Sequence, residues 1–179
     1  MATPIHESAS VVRAQCGDRE ALELLLRSAQ PPLHRYVSRL IGATAADDVV
    51  QEVLVTLARK LTWLAEPTLF RAWMFRIASR RAFDHLRSER RRAEHPLDEE
   101  VQVGLAAPEP IPSDDLLREL LDSDRLTPAS RAVLVLHFQE ELPLAEVAAI
   151  LEIPLGTVKS RLAFGLKALR RHLSNTRSA

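Results

Sequence analysis

Apolar residues recur at helical spacing along two stretches of this chain, and one Pro-rich acidic stretch separates them. Between the blocks, Ala93 to Pro112 carries Pro96, Pro108, Pro110 and Pro112 among acids and small residues. Proline fixes φ and donates no N–H, so this segment reads as a flexible linker. β-branched runs bounded by turn signals are nearly absent, which argues against sheets. With 46% apolar residues among 179, the chain can fill the cores of two small domains. The expected fold is all-α: two small helical domains, residues 17–92 and 113–173, joined by a linker at 93–112. No internal repeat is visible.

In the first block, Asp18 to Leu40 reads as a helical region that Pro31-Pro32 should break or restart, and Gly42 should close it. Thr44-Ala45-Ala46-Asp47 reads as a capping box with Asp in place of Glu. The helix after it carries Val50, Val53, Leu54, Leu57, Leu61 and Leu64 as one apolar stripe. Asp47 and Asp48 near its start would favour the helix dipole. Ala65-Glu66-Pro67-Thr68 breaks the pattern, and a third helix should run from about Leu69 to Arg92. Phe70, Trp73, Met74 and Ile77 make its early core face, with Trp73 read as core rather than as a stacking platform.

The net charge is zero, from 24 basic and 24 acidic residues, which taken alone argues against nucleic acid as a partner. The distribution reverses that inference. From Arg71 to Arg92 there are eight arginines against Asp84 and Glu89, a net of +6. From Glu94 to Asp124 ten acids face Arg118 alone, a net of −9. From Leu155 to Arg177 there are six basic residues and no acid, again +6. Two basic helical segments split by an acidic one fit two footprints on a polyanion. Solvated arginine-bearing faces would give a similar count.

The second block has a helix–turn–helix layout. Pro143 suits a first helical turn, and Glu146 to Leu151 forms a short amphipathic helix. Glu152-Ile153-Pro154 is the turn, and Leu155 opens the next helix. Val158, Leu162, Leu166 and Leu169 would face inward, leaving Lys159, Ser160 and Arg161 partly outward in its first turns. A helix entering the major groove by its N-terminal turns presents such residues to bases and phosphates. Small Gly156 allows close backbone approach.

The string Ile153-Pro154-Leu155-Gly156-Thr157-Val158-Lys159-Ser160-Arg161-Leu162 closely resembles the promoter-binding signature of the extracytoplasmic-function RNA polymerase sigma factors. Leu126-Thr127-Pro128 with Arg131, Val133, Leu134 and Leu136 resembles the opening helix of the same domain, domain four. Asp47-Asp48-Val49-Val50-Gln51-Glu52-Val53 resembles the most characteristic string of sigma domain two. Phe70 to Ala78, with Asp84-His85-Leu86-Arg87, matches the helix that follows it. The resemblance implies that Asp47, Asp48, Gln51 and Glu52 dock on core RNA polymerase. It implies that Ala65, Glu66, Pro67 and Thr68, with Arg76, Arg80, Arg81 and Arg87, contact the −10 promoter element. Gly156, Thr157, Lys159, Ser160 and Arg161 would serve the −35 element. The chain departs from the family pattern at Glu152, usually Gly, at Arg80, commonly Asn, and at Phe164-Gly165-Leu166, where basic residues are usual.

An enzyme is the first rival reading. No glycine-rich phosphate loop, nucleophile elbow or metal-ligand spacing occurs, and the six histidines are scattered, so no catalytic residue, metal or cofactor is expected. A stand-alone helix–turn–helix repressor or activator is the second, and it leaves the first block unexplained. Dependence on polymerase separates the two. The expected partners are core RNA polymerase and promoter DNA, with room for an anti-sigma factor. No apolar stretch reaches membrane-spanning length and residues 1–10 lack a signal-peptide pattern, so a cytoplasmic protein without membrane insertion is expected. Cys16, the sole cysteine, reads as small apolar filler near a helix start.

Overall fold

The computed structural model describes residues 4–93, 121 and 126–176, and every regular element among them is helical. The chain divides into two compact units, Met1–Arg92 and Ala93–Ala179. Beyond Ala93, the expected linker lies outside the described residues, as do residues 113–120 and most of the acidic segment.

The first unit begins with a helix that the apolar pattern did not reveal, α1 (Pro4–Gln15). α2 (Arg19–Ile41), α3 (Ala43–Lys60) and α4 (Phe70–Ala93) follow. The joint between α1 and α2 is tightly specified. Gly17 takes the positive φ of 93° that the turn requires. Asp18 then caps α2, its Oδ1 accepting the Ala21 N–H at 3.0 Å. Its Oδ2 accepts from Arg13 Nε and Nη2 at 2.9 and 2.6 Å. The Ala21 N–H first, then Arg13, holds the Asp18 carboxyl below its ordinary range, so the carboxylate's contribution is present at neutral pH and fades as pH falls through that lowered value. Cys16 is exposed in the same turn and is not core filler.

α2 does not break at Pro31. It runs unbroken through both prolines. The missing N–H groups of Pro31 and Pro32 leave the carbonyls of Arg27 and Ser28 without their helical donors, but both residues are exposed, where water reaches those oxygens. Packing overrides the local penalty, because Leu25 and Ala29 before the prolines and Leu33, Tyr36 and Val37 after them are all buried on one face. Truncating one such large side chain to Ala should cost about 2–5 kcal/mol. Tyr36 is wholly buried and meets Phe75 of α4 edge-on at 5.4 Å. Its hydroxyl lies 2.7 Å from Ser79 Oγ, which donates onward to the Phe75 carbonyl. Burial pushes the Tyr36 phenol far up, so it stays neutral.

α3 starts at Ala43 with Gly42 as its cap, at φ 85°, and no side chain makes a capping bond. Thr44 therefore lies inside the helix, and the expected capping box does not form. Asp47 and Asp48 fall beyond the first turn, which holds no acid, so the dipole argument for them lapses. Past Lys60 the apolar stripe continues into a 3₁₀ turn, Leu61–Trp63, and a second one, Pro67–Leu69, leads into α4. On α4, Phe70, Met74 and Phe75 are buried, while Trp73 and Ile77 are half-buried.

In the second unit, α5 (Pro128–Leu134) is capped by Thr127, whose Oγ1 accepts the Ser130 N–H at 3.2 Å, and Pro128 occupies its first turn. The helix then widens into a π turn, Val135–Gln139. The Leu142 N–H closes back onto the Leu136 carbonyl at 3.0 Å, and His137 Nδ1–H donates to the Leu142 carbonyl at 2.9 Å. α6 (Leu144–Leu151) and α7 (Leu155–Thr176) complete the unit. Gly165 of α7 packs onto Leu134 of α5 so closely that an added Cβ would lie 2.7 Å from Leu134 Cδ1. At this departure from the family pattern, the small residue lets α7 pack closely on α5.

Candidate polymerase and DNA interfaces

The buried face of α3 is Ala46, Val49, Val50, Val53 and Leu57. Asp47, Asp48, Gln51 and Glu52 occupy the opposite face and are all exposed. Two of these acids already have basic neighbours. Asp47 Oδ1 lies 3.2 Å from His34 Nε2 of α2. Glu52 Oε2 lies 3.7 Å from Arg81 Nη1 of α4.

That second contact divides the arginines of α4. At about 100° per residue, Arg76, Arg80 and Arg87 share one stripe, and Arg81 lies about 100° round from Arg80. The stripe faces away from buried Phe75, Ala78 and Ala82. Arg81 instead sits beside the acidic face of α3. Arg87 Nη2 also pairs with Asp84 at 3.0 Å, one turn back on its own helix.

The loop before α4 is extended at Leu64 and Glu66 between its two 3₁₀ turns. Ala65, Glu66 and Thr68 are exposed and Pro67 is half-buried. Two residues absent from the sequence reading belong here. Trp63 is 76% exposed, with Lys60 Nζ 5.8 Å from its ring centroid. It lies off the apolar stripe of Leu57 and Leu61, a signal the sequence does contain. Gln15 reaches the loop from α1, and 46 residues of separation leave no sequence signal for that contact.

The helix–turn–helix has the expected layout. α6 ends at Glu152, in the left-handed conformation at φ 56°, ψ 42°. The Ile153 N–H then returns to the Ala148 carbonyl at 3.2 Å. Pro154 opens α7, its carbonyl accepting from the N–H groups of Thr157 and Val158 at 2.9 and 3.1 Å. Val158 and Gly165 are buried, Leu162 and Leu166 half-buried, and the side chain of Leu169 lies outside the described residues. Gly156 and Lys159 are exposed, and Thr157, Ser160 and Arg161 half-buried. Ser160 Oγ donates to the Gly156 carbonyl at 3.0 Å, so only its lone pairs remain for a ligand. At about 100° per residue, Arg161 falls within about 60° of buried Val158, while Gly156 and Ser160 point the other way.

A helix–turn–helix with Lys159 exposed near the start of its second helix, in a chain whose first unit bears an acidic face and an arginine stripe, fits a DNA-binding protein that meets more than one partner. The comparisons narrow this class. The family models described as Sigma-70 region 2 and Sigma-70, region 4 match residues 25–92 and 124–171. The extracytoplasmic-function sigma factor SigW of Bacillus subtilis (strain 168) is 30% identical over 172 residues, covering 88% of this chain and 91% of that protein. The sigma-E factor of Escherichia coli (strain K12) is 27% identical over 174 residues, covering 90% and 91%. Among solved structures, the sigma factor RpoE of Bartonella quintana, in complex with the anti-sigma factor NepR, aligns with a TM-score of 0.65 at 22% identity, over 85% of this chain and 96% of that one. CnrH, in complex with the cytosolic domain of CnrY, aligns with a TM-score of 0.65 at 23% identity, over 95% and 98%. The chain belongs to the extracytoplasmic-function RNA polymerase sigma factors and directs transcription initiation at promoters.

Proposed function

We propose that the first unit does two jobs on two faces while the second reads DNA on its own. Asp47, Asp48, Gln51 and Glu52 dock on core polymerase. The loop Ala65 to Thr68 and the arginine stripe Arg76, Arg80 and Arg87 take the opened −10 strand, with Trp63 as a platform on which an unstacked base can lie. Arg81 belongs to the docking face, where it steadies Glu52. Gly156, Thr157, Lys159, Ser160 and Arg161 meet the −35 element. The protein works by binding, takes no cofactor, performs no bond chemistry, and acts in the cytoplasm beside the polymerase. An anti-sigma factor is a further partner, a reading supported by the neighbour RpoE, which has that partner and a similar fold.

The observation that carries this reading is the opposite sign of the two faces of one unit: exposed carboxylates on α3, and on α4 an arginine stripe with Arg80 and Arg87 exposed and Arg76 half-buried. Such a unit can hold a protein surface and a polyanion at once. Replacing Asp48 and Glu52 together by Lys should weaken co-purification with core polymerase at least tenfold and leave helicity by circular dichroism unchanged. Undiminished co-purification would remove the docking assignment.

A further inference from the structure

The −10 loop is held from outside itself. Gln15 ends α1, and its Nε2 donates to the carbonyls of Leu61 at 2.9 Å and Leu64 at 2.8 Å. Both partners are acceptors, so the amide nitrogen must face them, and both of its hydrogens are used. Those carbonyls begin and end the 3₁₀ turn that the Leu64 N–H closes onto Leu61 at 3.1 Å. Trp63 projects outward from between them. Gln15 is in turn fixed by its surroundings. Val11 and Ala14 bury α1 against the unit, and Arg13 and Asp18 lock the turn after it. This helix lies wholly before the segment matched as Sigma-70 region 2, which begins at residue 25.

We propose that Gln15 is a positioning residue for promoter opening: it fixes the Leu61–Leu64 turn so that Trp63 and the Ala65–Thr68 loop meet the −10 strand in one conformation. The inference rests on the assignment of that loop to the −10 element. Its content is that α1 sets the loop's geometry without touching DNA. A loop free to sample several conformations binds its competent one at a lower apparent affinity, reduced by the fraction populated.

The experiment is run-off transcription with core polymerase and full-length variants on three templates: a cognate promoter, the same promoter with its −10 scrambled, and the same promoter with its −35 scrambled. Gln15→Leu keeps the length and removes both donors, and Gln15→Glu sets a carboxylate against two carbonyls. Two hydrogen bonds of ordinary net strength set the scale of the effect at roughly tenfold. Both variants should lower the ratio of cognate to −10-scrambled transcript by roughly that factor, Gln15→Glu by more, and leave the −35 ratio and polymerase binding unchanged. Trp63→Ala is the control on the loop. If Trp63→Ala lowers the −10 ratio and neither Gln15 variant does, the positioning role is wrong and the loop assignment stands. If all three keep the wild-type ratio, both fall. A Gln15 variant that lowers transcript equally on all templates marks a merely structural residue and also overturns the proposal.

Discussion

The two units hold the segments proposed to face DNA by different means. In the second, the segment is the first turns of α7; the turn that starts it is held by residues close in sequence, and behind it Gly165 packs on Leu134 of α5. Glu152 turns the chain, Pro154 supplies an acceptor to Thr157 and Val158, and Val158 and Gly165 anchor the helix from behind. In the first, the segment is a loop between two 3₁₀ turns, and its bracing amide comes from a helix 46 residues earlier. One proposed reader starts from a self-supported turn and the other is braced at a distance. A rigid helix suits a groove of regular geometry. A braced loop suits a strand that must be taken out of its duplex, because exposed aromatic and polar groups can meet its unstacked bases.

The largest effect that could break this comparison is at Gly165. A Cβ there would stand 2.7 Å from Leu134 Cδ1 and 3.1 Å from its Cγ, so the fully buried Leu134 side chain would have to shift. Gly165→Ala should therefore overpack the joint of α5 and α7 and destabilise the second unit by roughly 1–3 kcal/mol. Thermal unfolding of the full chain should show it as an earlier transition. Transcription should fall on the cognate promoter more than on the same promoter with its −35 scrambled. A wild-type unfolding profile would mean that α7 is not anchored through this contact.

A smaller effect separates the residues of the α7 face. Lys159 is exposed, whereas Arg161 lies near the buried Val158 stripe. Lys159→Ala should lower discrimination between cognate and scrambled −35 templates by roughly 1–2 kcal/mol, the scale of one base contact. Arg161→Ala should lower it less and show a flatter salt dependence, as a phosphate contact would. If Arg161→Ala were the more damaging to discrimination, α7 would have to enter the groove rotated from the orientation its outward face suggests.

The same contrast explains what was legible in the sequence. The helix–turn–helix could be read nearly residue by residue, because its turn, its cap and its inward Val158 obey short-range rules. The apolar stripe of α3 was legible from period, whereas its acidic face stood out only through the family resemblance. The prolines of α2 misled, since the rule that proline ends a helix is local and the burial of Leu25, Leu33 and Tyr36 on either side is not. The capping box at Thr44 misled for the opposite reason: Gly42, able to take φ 85°, starts the helix before Thr44 can cap it. α1 and Gln15 left no trace, because two hydrogen bonds to carbonyls on another element require no motif. Gly165 looked like a lost basic position, and only its distance to Leu134 shows that a side chain there would press on the core.

The smallest effect concerns the turn itself. Glu152 holds φ 56° and ψ 42°, a conformation that a residue with a Cβ adopts at an energetic penalty and glycine adopts freely. It is exposed, so its side chain fills no core. Glu152→Gly should relieve the strain, offset in part by the greater freedom of glycine in the unfolded chain, for a net gain of at most about 1 kcal/mol. If the reader of the second unit is self-supported, that gain should appear in the unfolding midpoint of this unit alone. The −35 discrimination should stay within twofold of wild type, because Pro154 and Val158 already fix where α7 begins. A lower midpoint would show that the glutamate's own interactions outweigh its strain. A changed −35 preference at equal stability would show that the turn, and not the packing behind α7, sets the angle at which the helix is presented.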